Sequence, residues 1–427
     1  MELRLTVDEQ AMLDGQRGEA VALAMRLLTE LGRIKGATKL IDIDSVHIDG
    51  CIFYGQAGLD YASRLVELGA KVVVPTTVNV GSTDLLHPGL VLENTDYEKF
   101  TADGARKIMQ AYIDMGVKQT WTCAPYQEDT RPEKGTDIVW AESNAIAFAN
   151  SVLGARTDRY GDFMDIASAI TGKAPYAGLH LLENRTGHLV LDCTSLSASV
   201  LDLDITYPLL GYLAGHYAGT RNPVLIGLPS DVSEDRLKAL GAAAASAGGV
   251  GLFHVVGRTP EAPTLEAVVT NPKLIETYLI DAETLRNTRE ELTTAVLNTK
   301  LDAVSLGTPH ASINEFKALV EELQSGGPLH SDVQFYINTG RSVLAKATDA
   351  GYVTTLENYG VKIVVDTCAY MTSIFRPGTK TVITNSGKVA HYAPANMNVE
   401  IVIGTLTECV NSARLGKVTW DPSLFHG

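Results

Sequence analysis

The 427-residue sequence is poor in cysteine, has no excess of positive charge and contains no long apolar run. Each lack excludes something. There are five cysteines, Cys51, Cys123, Cys193, Cys368 and Cys409. An odd number at wide spacing is unlike a disulfide framework. Lys plus Arg is 35 against 50 Asp plus Glu, a net charge of −15, which argues against a nucleic-acid partner. A small anion is not excluded, because a few local cations or backbone N–H groups suffice to hold one. No apolar run reaches the length of about 18 residues that a membrane span needs. The opening Met1-Glu2-Leu3-Arg4-Leu5-Thr6 lacks the basic and apolar regions of a secretory leader, so a cytoplasmic protein is expected. Also missing are a P-loop, a Gly-x-Gly-x-x-Gly fingerprint and a His-Glu-x-x-His zinc motif. Low-complexity tracts and fixed-period repeats are absent too.

What remains is an ordinary globular composition, 45% hydrophobic and 20% charged. At roughly 150 residues per domain it fits two to three units. The spacing predicts a capped helical segment from Thr6 to about Leu31. Strands are expected at 40–43 and 71–75, and helices at 97–115 and 142–153. Farther on, apolar runs at 223–228, 250–256, 302–306, 333–337, 361–365, 381–383 and 399–403 read as strands. Helical patterns at 233–247, 312–324 and 341–359 lie between them. Fully apolar strands alternating with helices predict α/β units with mostly parallel sheets covered on both faces. The expected units are 1–210, 211–300 and 301–427.

Ligands of open α/β sheets bind outside the carboxyl ends of strands. Five consecutive predicted strand ends here carry Gly307-Thr308-Pro309-His310, Asn338-Thr339-Gly340-Arg341, Asp366-Thr367-Cys368, Thr384-Asn385-Ser386-Gly387-Lys388 and Gly404-Thr405-Leu406-Thr407-Glu408-Cys409. Ser, Thr, Asn and Asp there are ordinary helix caps. Two cysteines, an arginine and a histidine are not. The first half adds Pro75-Thr76-Thr77-Val78-Asn79, Thr122-Cys123-Ala124-Pro125-Tyr126, Trp140-Ala141-Glu142-Ser143-Asn144-Ala145 and Gly172-Lys173-Ala174-Pro175-Tyr176.

Taken in order, these strings resemble the large catalytic module of the aconitase X family, from about residue 40 to about residue 415. The resemblance implies aconitase-like α/β/α lobes and a dehydratase with an iron–sulfur cluster. The associated reactions are dehydration of cis-3-hydroxy-L-proline to Δ1-pyrroline-2-carboxylate and dehydration of mevalonate 5-phosphate. The family often has a cysteine where this chain has Thr308. Its loss favours a [2Fe-2S] cluster over [3Fe-4S] or [4Fe-4S], as in the hydroxyproline branch. The family enzyme also includes a small swivelling domain carrying a catalytic serine. No such compact domain follows Cys409, so a partner chain is expected to supply it, unless this chain has lost it.

The resemblance makes Cys123, Cys368 and Cys409 the expected cluster ligands, with Cys51 in reserve and Cys193 a buried thiol. Arg341 is expected to bind the substrate carboxylate, since a guanidinium pairs with it bidentately. Lys173 is the second expected cation, with Tyr176 beside it. Thr76, Thr77, Asn79, Ser143 and Asn144 are expected to bind substrate, and His310 to act as acid or orienter, with Asp49 or Glu142 beside it. Lys173 and Ser143 are further catalytic candidates. Few cations beyond Lys173, Arg341, Arg376 and Lys388 are in place for a phosphate, which favours the amino acid. Two other readings compete: a non-catalytic small-anion-binding homologue, and a cluster-free enzyme using Cys123 as nucleophile.

Overall fold

In the computed structural model, residues 3–271 and 275–425 are described. The chain opens with helices Val7–Leu13 and Glu19–Ile34. Thr6 and Glu9 form the expected capping box, but the helix breaks before residue 19. The first unit holds β1 (Leu40–Asp42), β2 (Val46–Ile48), β3 (Thr76–Val78), β4 (Val139–Trp140) and β5 (Lys173–Pro175). Strand β2 lies between β3 and β4, parallel to both, while β1 and β5 form a separate antiparallel pair. The strand expected at 71–75 begins only at Thr76. The Val72 and Val73 N–H groups donate to Met115 and Ala169 carbonyls instead of joining a ladder.

The middle unit is a parallel sheet in the order β8-β7-β6-β9, built from β6 (Leu189–Asp192), β7 (Pro223–Ile226), β8 (His254–Val255) and β9 (Glu276–Leu279). Because β6 pairs here, this unit starts near 189, not at the expected 211. Its helices Thr206–Ala218 and Glu234–Ala247 touch backbone to backbone. A Cβ at Gly211 would lie 2.1 Å from the Leu240 carbonyl oxygen, which accounts for the Gly- and Ala-rich composition of the pair.

The last unit matches expectation closely: β10 (Ala303–Leu306), β11 (Gln334–Thr339), β12 (Val361–Val365), β13 (Thr381–Thr384) and β14 (Glu400–Ile403). All pair in parallel, in the order β12-β11-β10-β13-β14. Side chains alternate across it, as strand geometry requires. Val304, Phe335, Ile337, Val361, Ile363, Ile383 and Val402 pack with Phe316, Leu319 and Leu356 on one face. Tyr336, Val364, Val382, Ile401 and Ile403 face the middle unit's Leu209, Leu210, Leu237 and Leu240. The middle and last units therefore share one core. The expected helix 341–359 is two helices, Arg341–Asp349 and Tyr352–Asn358. Among the described residues, no helix is long and apolar enough to cross a membrane.

Strand order reverses at β10, where such sheets open a crevice. Gly307 follows β10 with φ +76°, and a Cβ there would lie 2.2 Å from the Asn338 carbonyl oxygen. Gly307→Ala is expected to cost about 1–3 kcal/mol, read as a lowered urea midpoint at unchanged slope.

Candidate active site

Three turns from two units meet at one point. Cys123 lies on the turn after Trp121, Cys368 follows β12, and His310 follows β10. All three are buried, and their ligand atoms lie within 4.8 Å of one another. The His310 ring bridges the other two turns. Its Nε2 lies 3.2 Å from the Thr367 carbonyl oxygen and its Nδ1 lies 3.0 Å from the Thr122 hydroxyl. A carbonyl only accepts, so Nε2 carries the hydrogen and Nδ1 accepts from Thr122. Burial pulls the His310 pKa down to about 4. The ring is then uncharged at neutral pH with both nitrogens hydrogen-bonded, a geometry that favours orienting over acid work, the two roles expected for His310. Its backbone N–H donates to Cys123 Sγ at 3.2 Å. Contact with Cys123, together with burial, pushes the Cys368 thiol well above its ordinary value.

Both thiols open into a cleft of about 520 Å³, lined also by Asp49, Asn79, Glu142, Ser143, Arg159, Thr308 and Lys388. Lys388 Nζ reaches Glu142 Oε1 at 2.5 Å. Burial alone would depress this ammonium, but Glu142, Tyr370 and Cys123 hold it well above the usual lysine range. The other Glu142 oxygen accepts from the Ala145 N–H at 2.8 Å and caps the helix Ser143–Phe148.

Of the expected substrate ligands, Asn79 and Ser143 line the cleft. Asn144 sits beneath it, donating to the Cys123 carbonyl at 3.0 Å and accepting from Tyr126 at 2.7 Å. It positions the thiol. Thr76 bonds the Val74 carbonyl and Thr77 bonds His47, and neither lines the cleft. Lys173, on β5, pairs with Asp42 at 2.6 Å and Glu9 at 3.5 Å. Tyr176 lies under Lys39. The β1–β5 pair thus places both outside the cleft, which corrects their assignment.

Arg341 grips Asp366 with two 2.7 Å bonds, so its guanidinium is spent on the turn before Cys368. Cys409 corrects the ligand set. Four residues past its N-cap Thr405, it points from the helix Leu406–Leu415 into the core with Phe316 and Val402. Cys51 and Cys193 are also buried, and Cys51 donates to backbone carbonyls such as that of Asn79 at 3.4 Å. Thr308 lines the cleft beside Cys123 and Cys368. Lys388 takes the place foreseen for Lys173. Arg159 gave no motif signal.

Models of the aconitase X first, second and third domains match residues 2–183, 189–290 and 301–414. A cis-3-hydroxy-L-proline dehydratase of Pseudomonas aeruginosa is 42% identical over 97% of this chain and 70% of its own length. A phosphomevalonate dehydratase large subunit of Methanocaldococcus jannaschii is 37% identical over 95% of this chain and 98% of its own. The crystal structure of Thermococcus kodakaraensis aconitase X in its holo form superposes with a TM-score of 0.85 at 33% identity, covering 96% of this chain and all of that one. An α/β fold with these relatives defines a hydro-lyase of the aconitase superfamily. Within it, the chain belongs to the aconitase X family.

Asp49 is partly open to the cleft yet deep in the protein. Burial, then Glu142 and Asp162, push it up to about 8, while Asp165 behind it rises to about 6. Above the pKa of an unfolded aspartate and below about 8, the folded state holds a proton that the unfolded chain has lost. This term therefore weakens the fold as pH rises. Between about pH 6 and 8 the falling term belongs to Asp49 and not Asp165. Asp49→Asn is expected to flatten the decline of Tm in that window, measured by calorimetry against wild type.

Proposed function

We propose that the chain is the large module of an iron–sulfur hydro-lyase that converts cis-3-hydroxy-L-proline to Δ1-pyrroline-2-carboxylate in hydroxyproline breakdown. The observation that carries this is a buried thiol pair opening into the same cleft as the Lys388 ammonium. Sulfur donors with a backbone N–H aimed at one of them suit an iron–sulfur cluster. Cys123 and Cys368 would hold it, with the His310 ring, hydrogen-bonded at both nitrogens, fixing the turns that carry them. Two thiols, with Thr308 where the family often has a third, favour [2Fe-2S]. When bound, the cluster supplies a Lewis acid for the departing hydroxyl.

The remaining work falls to side chains. Lys388 and Arg159 are the cations of the cleft and hold the substrate carboxylate. The same charges steady the electron density that collects there when the α-proton leaves. The Glu142 carboxylate fixes the Lys388 ammonium, and Ser143 sits beside it. The α-proton passes to a serine on a swivelling domain, brought by a separate subunit or another segment. The β-hydroxyl leaves and, with a proton that balances the one taken by the serine, becomes water, and the resulting enamine tautomerises to the cyclic imine. Five free, buried cysteines suit the reducing cytoplasm.

One observation favours mevalonate 5-phosphate instead: the match to the M. jannaschii large subunit runs almost end to end on both chains. Against it, the cleft is lined by only two cations, Arg159 and Lys388, and Lys388 is already paired with Glu142, an adverse setting for a phosphate.

Anaerobically purified protein is expected to carry about two irons with matching sulfide. Supplied with its swivelling partner, it should form Δ1-pyrroline-2-carboxylate from cis-3-hydroxy-L-proline. Turnover of mevalonate 5-phosphate alone would overturn the substrate assignment. Cys123→Ser and Cys368→Ser are expected to lose the iron while staying folded, and Cys409→Ser to keep it. Iron retained in Cys368→Ser would sink the ligand set. Thr308→Cys is expected to raise the iron count, read by colorimetry and the visible spectrum.

A further inference from the structure

Strands β2 and β3 run side by side with Ile48 opposite Val78. The next residues, Asp49 and Asn79, therefore leave the sheet as neighbours, and both face the cleft. Asn79 Nδ2 donates to Asp49 Oδ1. That leaves Asn79 Oδ1 with no partner, although the residue is only 2% exposed. The second Asp49 oxygen also has no hydrogen-bond partner among the described residues. A buried acceptor left unpaired costs about 1–3 kcal/mol, so a fold that keeps one against a ligand cleft has a use for it. Here two acceptors stand together on one wall of the cleft, a buried amide oxygen without a partner and a carboxyl oxygen.

We infer that the Asp49–Asn79 corner is a subsite for a protonated amine, and that it selects an α-ammonium carboxylate over a phosphorylated hydroxy acid. The inference rests on the dehydratase reading and deepens it. The ring nitrogen of a cyclic amino acid carries two N–H hydrogens and a positive charge. Two adjacent acceptors match that pair, and a charge-assisted bond is roughly twice as strong as a neutral one. The carboxylate of the same ligand goes to the cations Lys388 and Arg159. A ligand with a phosphate and no nitrogen would instead meet the Glu142 carboxylate with like charge and leave both acceptors of the corner unpaired. The pattern of carboxylates behind the corner, Asp162 and Asp165 with Glu142 in front, adds to its preference for a cation. That preference is set by position and owes nothing to the thiol pair.

The test compares three ring carboxylates of one size on the cluster-loaded full chain by calorimetry: L-proline, tetrahydrofuran-2-carboxylate and cyclopentanecarboxylate. Wild type is expected to bind L-proline at least about tenfold more tightly than the other two, the equivalent of one charge-assisted bond. Asp49→Asn should erase most of that preference while leaving tetrahydrofuran-2-carboxylate binding unchanged. Asn79→Ala, which removes the unpaired acceptor, should reduce the preference in the same direction and guards against a folding defect in the first variant. If both variants fold and keep the full preference, the amine subsite is overturned. Turnover of cis-3-hydroxy-L-proline alongside that result leaves the dehydratase reading intact. A wild type that shows no preference for L-proline and turns over mevalonate 5-phosphate overturns both.

Discussion

The His310 ring is the contact on which the site depends. It spans the turn that carries Cys123 and the turn that carries Cys368, one hydrogen bond to each, and the backbone N–H of the same residue rests on the first sulfur. Around it every fastening serves the same purpose. Gly307 lets β10 turn sharply enough to deliver the ring. Asn144 holds the Cys123 carbonyl, and the Asn338 side chain accepts from the Ala369 N–H, just past Cys368, at 2.9 Å. Asp366, at φ +62°, is clamped by Arg341, and the Asp84 carboxylate ties the first unit to the Val365 N–H. Burial supplies the rest: in so dry a place a neutral, doubly bonded imidazole costs less than a charged one.

Charge in the cleft is managed by pairing. A lysine and a glutamate that were buried alone would each be costly, but together they form a fixed dipole whose positive end stays available. The chain's net charge of −15 says nothing of this. It excludes polyanion partners but is silent on a cleft where one ammonium and one guanidinium face two carboxyls.

The last unit was legible because its strands are short, wholly apolar and separated by capped helices. The boundaries expected at 361–365 and 399–403 fall within a residue of those observed. The rule that strand ends face ligands drew attention to His310, Cys368 and Lys388, which the fold gathers around one cleft. It could not say which side chain on a turn looks outward. Arg341 has the right chemistry, but a carboxylate two loops away in sequence claims it. Cys409 lies one turn too far into its helix, where helical geometry aims a side chain at the sheet. Lys173 failed for a different reason: its strand pairs antiparallel with β1, away from the parallel edge. Arg159 belongs to no pattern of spacing and emerges only when the chain is folded.

The two sulfurs come from units at opposite ends of the chain. During synthesis, Cys123 leaves the ribosome long before the strand that ends at Cys368 exists. The cluster proposed for this pair would need both turns in place, and so a nearly finished fold. Until then, Cys123 has only its own unit to shelter it from oxidants and stray metals.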